Sequence, residues 1–122
     1  MKLTEISFTC IPVTSLAVSR PFYEGVLGLK TGQAWVEGDQ GFVEYYLGEH
    51  TLAIGCGAHM PPPSSSGTGV ALEVEDFPSA VAELKAANAT FLMEPMETSV
   101  CHMAIFKDPD GNSITLHKRK AA

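Results

Sequence analysis

Val13-Thr14-Ser15-Leu16 leaves a strand and opens a helix, and Val74-Glu75-Asp76-Phe77 does the same 61 residues later. Working outward, the tight turn at Gly48-Glu49-His50 recurs as Pro109-Asp110-Gly111 at the same offset of 61. The residues differ between copies; position and role recur. Self-similarity of this kind marks a duplicated unit, and two copies make a doubled half-domain rather than a solenoid. Ligand sites tend to lie where such halves meet.

The segments between these signals complete each copy. Residues 3–13 are rich in Ile, Phe, Thr and Val and suit a buried strand. Thr14 or Ser15 can cap the following helix, which Pro21 should kink or restart and Gly28 should end. Strands are expected near 30–37, 41–47 and 51–57, separated by Gly38-Asp39-Gln40-Gly41 and Gly48-Glu49-His50. The Pro- and Ser-rich stretch 58–67 is the linker. A strand over 68–75 follows, then a helix capped by Asp76 and reaching Asn88. Strands near 90–97, 100–107 and 113–119 close the second copy. The fold class is α+β: one domain over 1–122, with module 1 (1–57), the linker (58–67) and module 2 (68–122), each module βαβββ.

Composition narrows the function. A length of 122 residues suffices for one core and not for two independent ones. Fourteen acidic against eight basic residues give a net charge of −6, which argues against a nucleic-acid partner. Lys118-Arg119-Lys120 is too short a basic run to change that and reads as a solvated tail. No apolar run approaches the roughly 20 residues of a membrane span. Met1-Lys2-Leu3-Thr4-Glu5 has no secretory character, so a cytoplasmic location is expected. Cys10, Cys56 and Cys101 form no CxxC pair and suit buried apolar positions in a reducing compartment.

Phe22-Tyr23-Glu24-Gly25-Val26-Leu27-Gly28-Leu29 and Asp108-Pro109-Asp110-Gly111-Asn112 together resemble the vicinal oxygen chelate superfamily, which holds glyoxalase I, extradiol dioxygenases, and fosfomycin- and bleomycin-resistance proteins. The likeness runs over essentially the whole chain. It implies a cup-shaped mixed sheet of eight strands with helices outside, a ligand cavity inside and, often, a homodimer. Enzymes of the family hold a divalent metal through His, Glu or Gln on four strands, and the metal acts as a Lewis acid on the substrate. Carried onto this chain, the four positions fall on Phe8, Ile54, Gly69 and Thr115. Three of these offer no donor and Thr is a poor one, so the family metal is expected to be absent and no cofactor is assigned. Cys10, Cys56 and His117 are the alternative donor set.

Strand alternation then selects the cavity wall. Pairing Leu47 with Thr51 sets Glu44 opposite Ile54 and Tyr46 opposite Leu52. Pairing Lys107 with Ser113 sets Ile105 opposite Thr115 and Met103 opposite His117. The expected wall is Phe8, Cys10, Phe42, Glu44, Tyr46, Ile54, Met103, Ile105, Thr115 and His117. Glu44 and His117 are its titratable members and the candidate catalytic pair. Against this stand a wet rim for Glu44 and a frayed strand end for His117. His102 falls on the opposite face and suits a surface or dimer interface; His50 and His59 lie in a turn and the linker. Trp35, the sole Trp, suits a core or rim position ahead of ligand stacking. Two functions follow. One is a metal-free protein binding an amphipathic or cationic small molecule, as the bleomycin-resistance members do. The other is a lyase, isomerase or dioxygenase-like enzyme acting on a ligand in the cup. A vestigial or regulatory dimer is the third possibility.

Overall fold

A computed structural model describes residues 2, 4–58, 60–64 and 69–121. The chain forms two compact units, Met1–Pro63 and Ser64–Ala122, whose boundary falls inside the expected linker. Parts of that linker, His59 and 65–67 among them, lie outside the described residues.

Module 1 begins with β1 (Thr9–Pro12), shorter than the expected strand. Ser15 caps α1 (Leu16–Arg20), its hydroxyl oxygen accepting from the Val18 N–H at 3.3 Å. Asp39, in the turn between β2 (Thr31–Glu37) and β3 (Gln40–Leu47), adds a second cap: its carboxylate accepts from the Ala17 N–H at 2.7 Å. A hydrogen bond from Ser15, joined by the Ala17 bond, holds the Asp39 carboxyl below its ordinary range. Pro21 has no N–H to donate, and there the α-helix passes into a π-helical segment, Pro21–Val26. The Leu27 N–H accordingly reaches back five residues to the Phe22 carbonyl at 3.0 Å.

The strand order is β1-β4-β3-β2, with β4 spanning His50–Cys56; β1 runs parallel to β4 and the other pairs are antiparallel. Helical residues cover one face of this sheet. Val43, Tyr45, Leu52 and Ile54 are buried there, and Tyr23 stacks on Tyr45 with ring centroids 6.2 Å apart. The Tyr45 hydroxyl donates to Glu24 at 2.9 Å, and Arg20 Nε pairs with the same carboxylate oxygen at 2.6 Å. Burial pulls the Glu24 carboxyl up, but the Arg20 and Tyr45 hydrogen bonds and the Arg20 charge together hold it below the usual range.

Module 2 repeats the plan. Its strands β5 (Val70–Glu73), β6 (Phe91–Glu97), β7 (Cys101–Lys107) and β8 (Ser113–Arg119) are ordered β5-β8-β7-β6. Asp76 caps α2 (Phe77–Ala86), accepting from the Ser79 N–H at 3.1 Å. The helix covers Ala104, Phe106, Ile114 and Leu116, with Leu84 and Phe77 from its own buried side. Both modules are thus βαβββ, and the eight strands form two mixed four-stranded sheets.

The β7–β8 register is the expected one, Lys107 with Ser113 and Met103 with His117. The β3–β4 register is not. Leu47 pairs with His50, Glu44 with Ala53 and Val43 with Ile54. Only Gly48 and Glu49 remain in the turn between β3 and β4, whereas Asp108 to Asn112 separate β7 from β8. Counted between equivalent paired residues, four lie between Tyr46 and Thr51 and five between Lys107 and Ser113; this one-residue difference moves β4 by one position, and a one-residue slip exchanges the faces of a strand. The repeat offset is therefore 61 for β1 and β3 and 62 for β4: Thr9 with Leu52 corresponds to Val70 with Ile114. Ile54 belongs to the helix-covered core, fully buried, and not to the cavity wall.

Two outcomes are expected. Ile54→Ala should lose about 2–5 kcal/mol of stability in urea denaturation, the cost of a core cavity, where a wall residue would tolerate the change. Glu24, with its folded-state carboxyl pKa below the unfolded value, contributes stability above the ordinary carboxylate range and loses it as pH falls. Glu24→Gln should therefore flatten the decline of the denaturation midpoint between about pH 5 and 3.

Candidate functional site

Each sheet has one face toward its helix and one away from it, and the residues selected from the sequence divide between them. On the open face of module 1, Phe42, Glu44 and Tyr46 stand on β3, since their neighbours Val43 and Tyr45 face the helix. Cys10 stands opposite Ala53 on the same face. Phe8 precedes β1 and meets Phe42 edge-on at 5.7 Å between ring centroids. Trp35 pairs across β2 with Phe42, their rings 6.2 Å apart. The result is a row of three aromatic rings in which Phe8 and Trp35 keep about half their surface open, 49% and 55%. Trp35 is a member of this row and not of the core.

Beside the row, the Tyr46 hydroxyl donates to Glu44 at 3.2 Å. Desolvation, followed by the Glu44 carboxylate, raises the Tyr46 phenol above its ordinary range. The Tyr46 ring lies over Gly32, where a Cβ would overlap it. On β4 the Met60 side chain lies over Gly55, next to the Cys10 sulfur: a Cβ on Gly55 would come within 2.9 Å of the Met60 thioether and 3.3 Å of Cys10 Sγ. Burial pushes the Cys10 thiol up, away from reactive thiolate.

On the open face of module 2, Met103, Ile105, Thr115 and His117 share one side, as expected from their pairing. Met93 and Met96 of β6 join them opposite Ile105 and Met103. Glu73 stands opposite His117, and its Oε1 lies 2.6 Å from His117 Nδ1. Its other oxygen accepts the Arg119 N–H at 2.7 Å. These hydrogen bonds, His117 foremost, hold the Glu73 carboxyl below its usual range. The sequence reading omits Glu73, although alternation from Gly69 reaches it in two steps.

His102 lies on the helix side of β7, with its ring 5.7 Å from Phe77, in a groove shared with Glu75, Asp76, Pro78 and Lys118. It thus has the surface placement expected of it.

With the register corrected, the four positions implied for the family metal are Phe8, Ala53, Gly69 and Thr115. Ala53 replaces Ile54, and the donor inventory is no richer. The alternative set fails on geometry, since Cys10 faces the open side of its sheet while Cys56 shares the parity of the helix-facing Leu52 and Ile54. Among the described residues, no group of three or more His, Cys, Asp or Glu could hold a metal ion. Phe8, Ala53 and Gly69 carry no metal-ligating side chain, and Thr115 is a poor ligand for a divalent cation.

Comparison with known proteins follows the same lines. The structure resembles TnmS3, an antibiotic binding protein from Streptomyces sp. CB03234, with a TM-score of 0.81 at 21% identity, covering 98% of this chain and 99% of that one. A glyoxalase family protein from Enterococcus faecalis gives 0.74 at 21%, covering 96% and 99%. FosX, a genomically encoded fosfomycin resistance protein from Listeria monocytogenes, gives 0.74 at 12%, covering 96% and 94%. Likeness at these identities concerns the fold alone. No curated protein sequence gives a significant match. The sequence profile of one family matches residues 5–116, nearly the entire chain, and with it the chain belongs to the Glyoxalase/Bleomycin resistance protein/Dioxygenase superfamily.

Proposed function

We propose that the protein binds an amphipathic or cationic aromatic small molecule, without the family metal. The observation that carries this reading is the half-open aromatic row Trp35–Phe42–Phe8 beside the Glu44–Tyr46 pair. Aromatic faces attract planar rings and cations, and a carboxylate alongside favours positive charge. The net charge of −6 adds a long-range bias in the same direction. On module 1 Glu44 anchors the ligand's charge while Phe8, Phe42 and Tyr46 supply contact area; on module 2 Met103, Ile105 and Thr115 are the corresponding open-face candidates. Antibiotic-binding and fosfomycin-resistance proteins among the structural neighbours are in keeping with such a role.

One observation favours an enzymatic reading as well. His117 bonded to Glu73 is a histidine–carboxylate pair, the arrangement in which an imidazole serves as a general base. A lyase, isomerase or dioxygenase-like reaction would draw on this pair on module 2, and Glu44 is the titratable candidate on the open face of module 1. We place either activity in the cytoplasm; none of Cys10, Cys56 and Cys101 is in a disulfide, as suits a reducing compartment.

The working form is proposed to be a homodimer. Edge strand β2 is exposed along its whole length, and Trp35, Val36, Leu92 and Met96 stand open on β2 and β6. Exposed edges carrying apolar residues call for cover. Light scattering coupled to size exclusion should return twice the 13.0 kDa chain mass; a monomer at micromolar concentration would rule the dimer out.

Trp35 is the only Trp, so ligand seating reads directly in its fluorescence. Planar aromatic cations should quench Trp35 emission saturably, and Glu44→Gln should weaken them by about fivefold to tenfold, the loss of one charge-assisted contact. Stoichiometric zinc, nickel or manganese in the purified protein, with a large rise in melting temperature, would overturn the metal-free reading.

A further inference from the structure

The Glu73–His117 contact settles more than the position of a ring. Glu73 Oε1 lies 2.6 Å from His117 Nδ1, and Glu73 Oε2 is occupied by the Arg119 N–H. An ionised carboxylate only accepts hydrogen bonds, so the proton in the contact belongs to Nδ1. Among the described residues, Nε2 takes no hydrogen bond. A neutral His117 therefore offers a bare lone pair at Nε2, the reverse of an unconstrained histidine side chain, whose favoured tautomer carries the proton on Nε2. The ring is three-quarters buried, with 26% of the side chain exposed, and shares its face with Met103, Ile105 and Thr115. An acceptor set into an apolar surface discriminates, because a partner without a donor leaves it unpaired.

We propose that Glu73 is a positioning residue that holds His117 in the Nδ1–H tautomer, so that Nε2 accepts a hydrogen bond from the hydroxyl of an aromatic, phenol-type ligand. The inference deepens the small-molecule reading above and rests on it for the ligand. The tautomer itself stands without a ligand. Flanking methionines Met93, Met96 and Met103 provide an adaptable apolar surface for the ring that bears the hydroxyl.

The test has two arms. In the apoprotein, long-range proton–nitrogen correlation of the imidazoles at alkaline pH should show His117 protonated at Nδ1 and bare at Nε2. Glu73→Ala should turn the majority of His117 to the Nε2–H form. Finding the Nε2–H form in the native protein refutes the proposal. In the second arm, 2-naphthol and 2-methoxynaphthalene are titrated against the intact chain. The phenol should bind about fivefold to tenfold more tightly than its methyl ether, the worth of one hydrogen bond. Glu73→Ala and His117→Gln should each bring that ratio close to one while both probes still bind. Equal binding of the two probes to the native chain overturns the proposal and leaves the small-molecule reading standing. Binding of neither probe overturns the phenol proposal, while the small-molecule reading falls only if planar aromatic cations also fail to quench Trp35. Circular dichroism of each variant checks that the fold is intact, and His117→Gln serves if Glu73→Ala unfolds.

Discussion

A strand has two faces, and in each module one helix covers one of them. Everything assigned to this protein depends on that division. Tyr45, tied to Glu24 and Arg20 through its hydroxyl, fixes which side of β3 is interior. Phe42, Glu44 and Tyr46 then have no alternative to the open side, because side chains alternate along a strand. Phe106, Ile114 and Leu116 do the same under α2, and Met103, Ile105, Thr115 and His117 are left outside. The open faces are thus consequences of core packing. Removing the helix-side core would dissolve the site without touching any residue in it.

Polar contacts supplement this division where the backbone turns. Asp108 is buried and accepts from the N–H groups of Asp110 and Asn112 and from the Asn112 side-chain amide, all within 2.9 Å. Asn112 in turn accepts the Ser64 N–H at 3.0 Å. The Asp-Pro-Asp-Gly-Asn segment is therefore a self-satisfied turn that also holds the end of the linker. Buried polar groups so paired specify one geometry, since any other leaves a donor or acceptor dry.

The order of elements and both helix caps were legible because each rests on local chemistry: Ser15 and Asp76 as caps, Pro21 as the break, Gly28 as the stop. The β7–β8 register was legible because Asp108 to Asn112 can only be a turn. Gly48-Glu49-His50 carries no such mark. His50 fits a turn or a strand, and assuming strict repetition assigned it to the wrong one. That single residue put Ile54 on the open face, when packing against the helix side claims it. Glu73 was not legible for a different reason: β5 has four residues and runs parallel to β8, so no hairpin fixes which of its residues faces His117. The aromatic row escaped because Trp35 belongs to β2, whose pairing with β3 shifts between Thr31 and Ala34, so simple alternation does not carry across it.

The two-residue turn at Gly48 and Glu49 also bears on how the gene for such a protein can change. Duplication gives two halves that could, in principle, exchange segments by unequal recombination. An exchange of the β3–β4 hairpin for the β7–β8 hairpin would bring one additional residue between the strands. If β4 were carried along by one position, Ile54 would turn outward and Ala53 inward, emptying the core beneath Tyr23 and Tyr45. The hairpins are therefore not interchangeable parts. Each hairpin's length is tied to the register, and so to the buried face, of its own module.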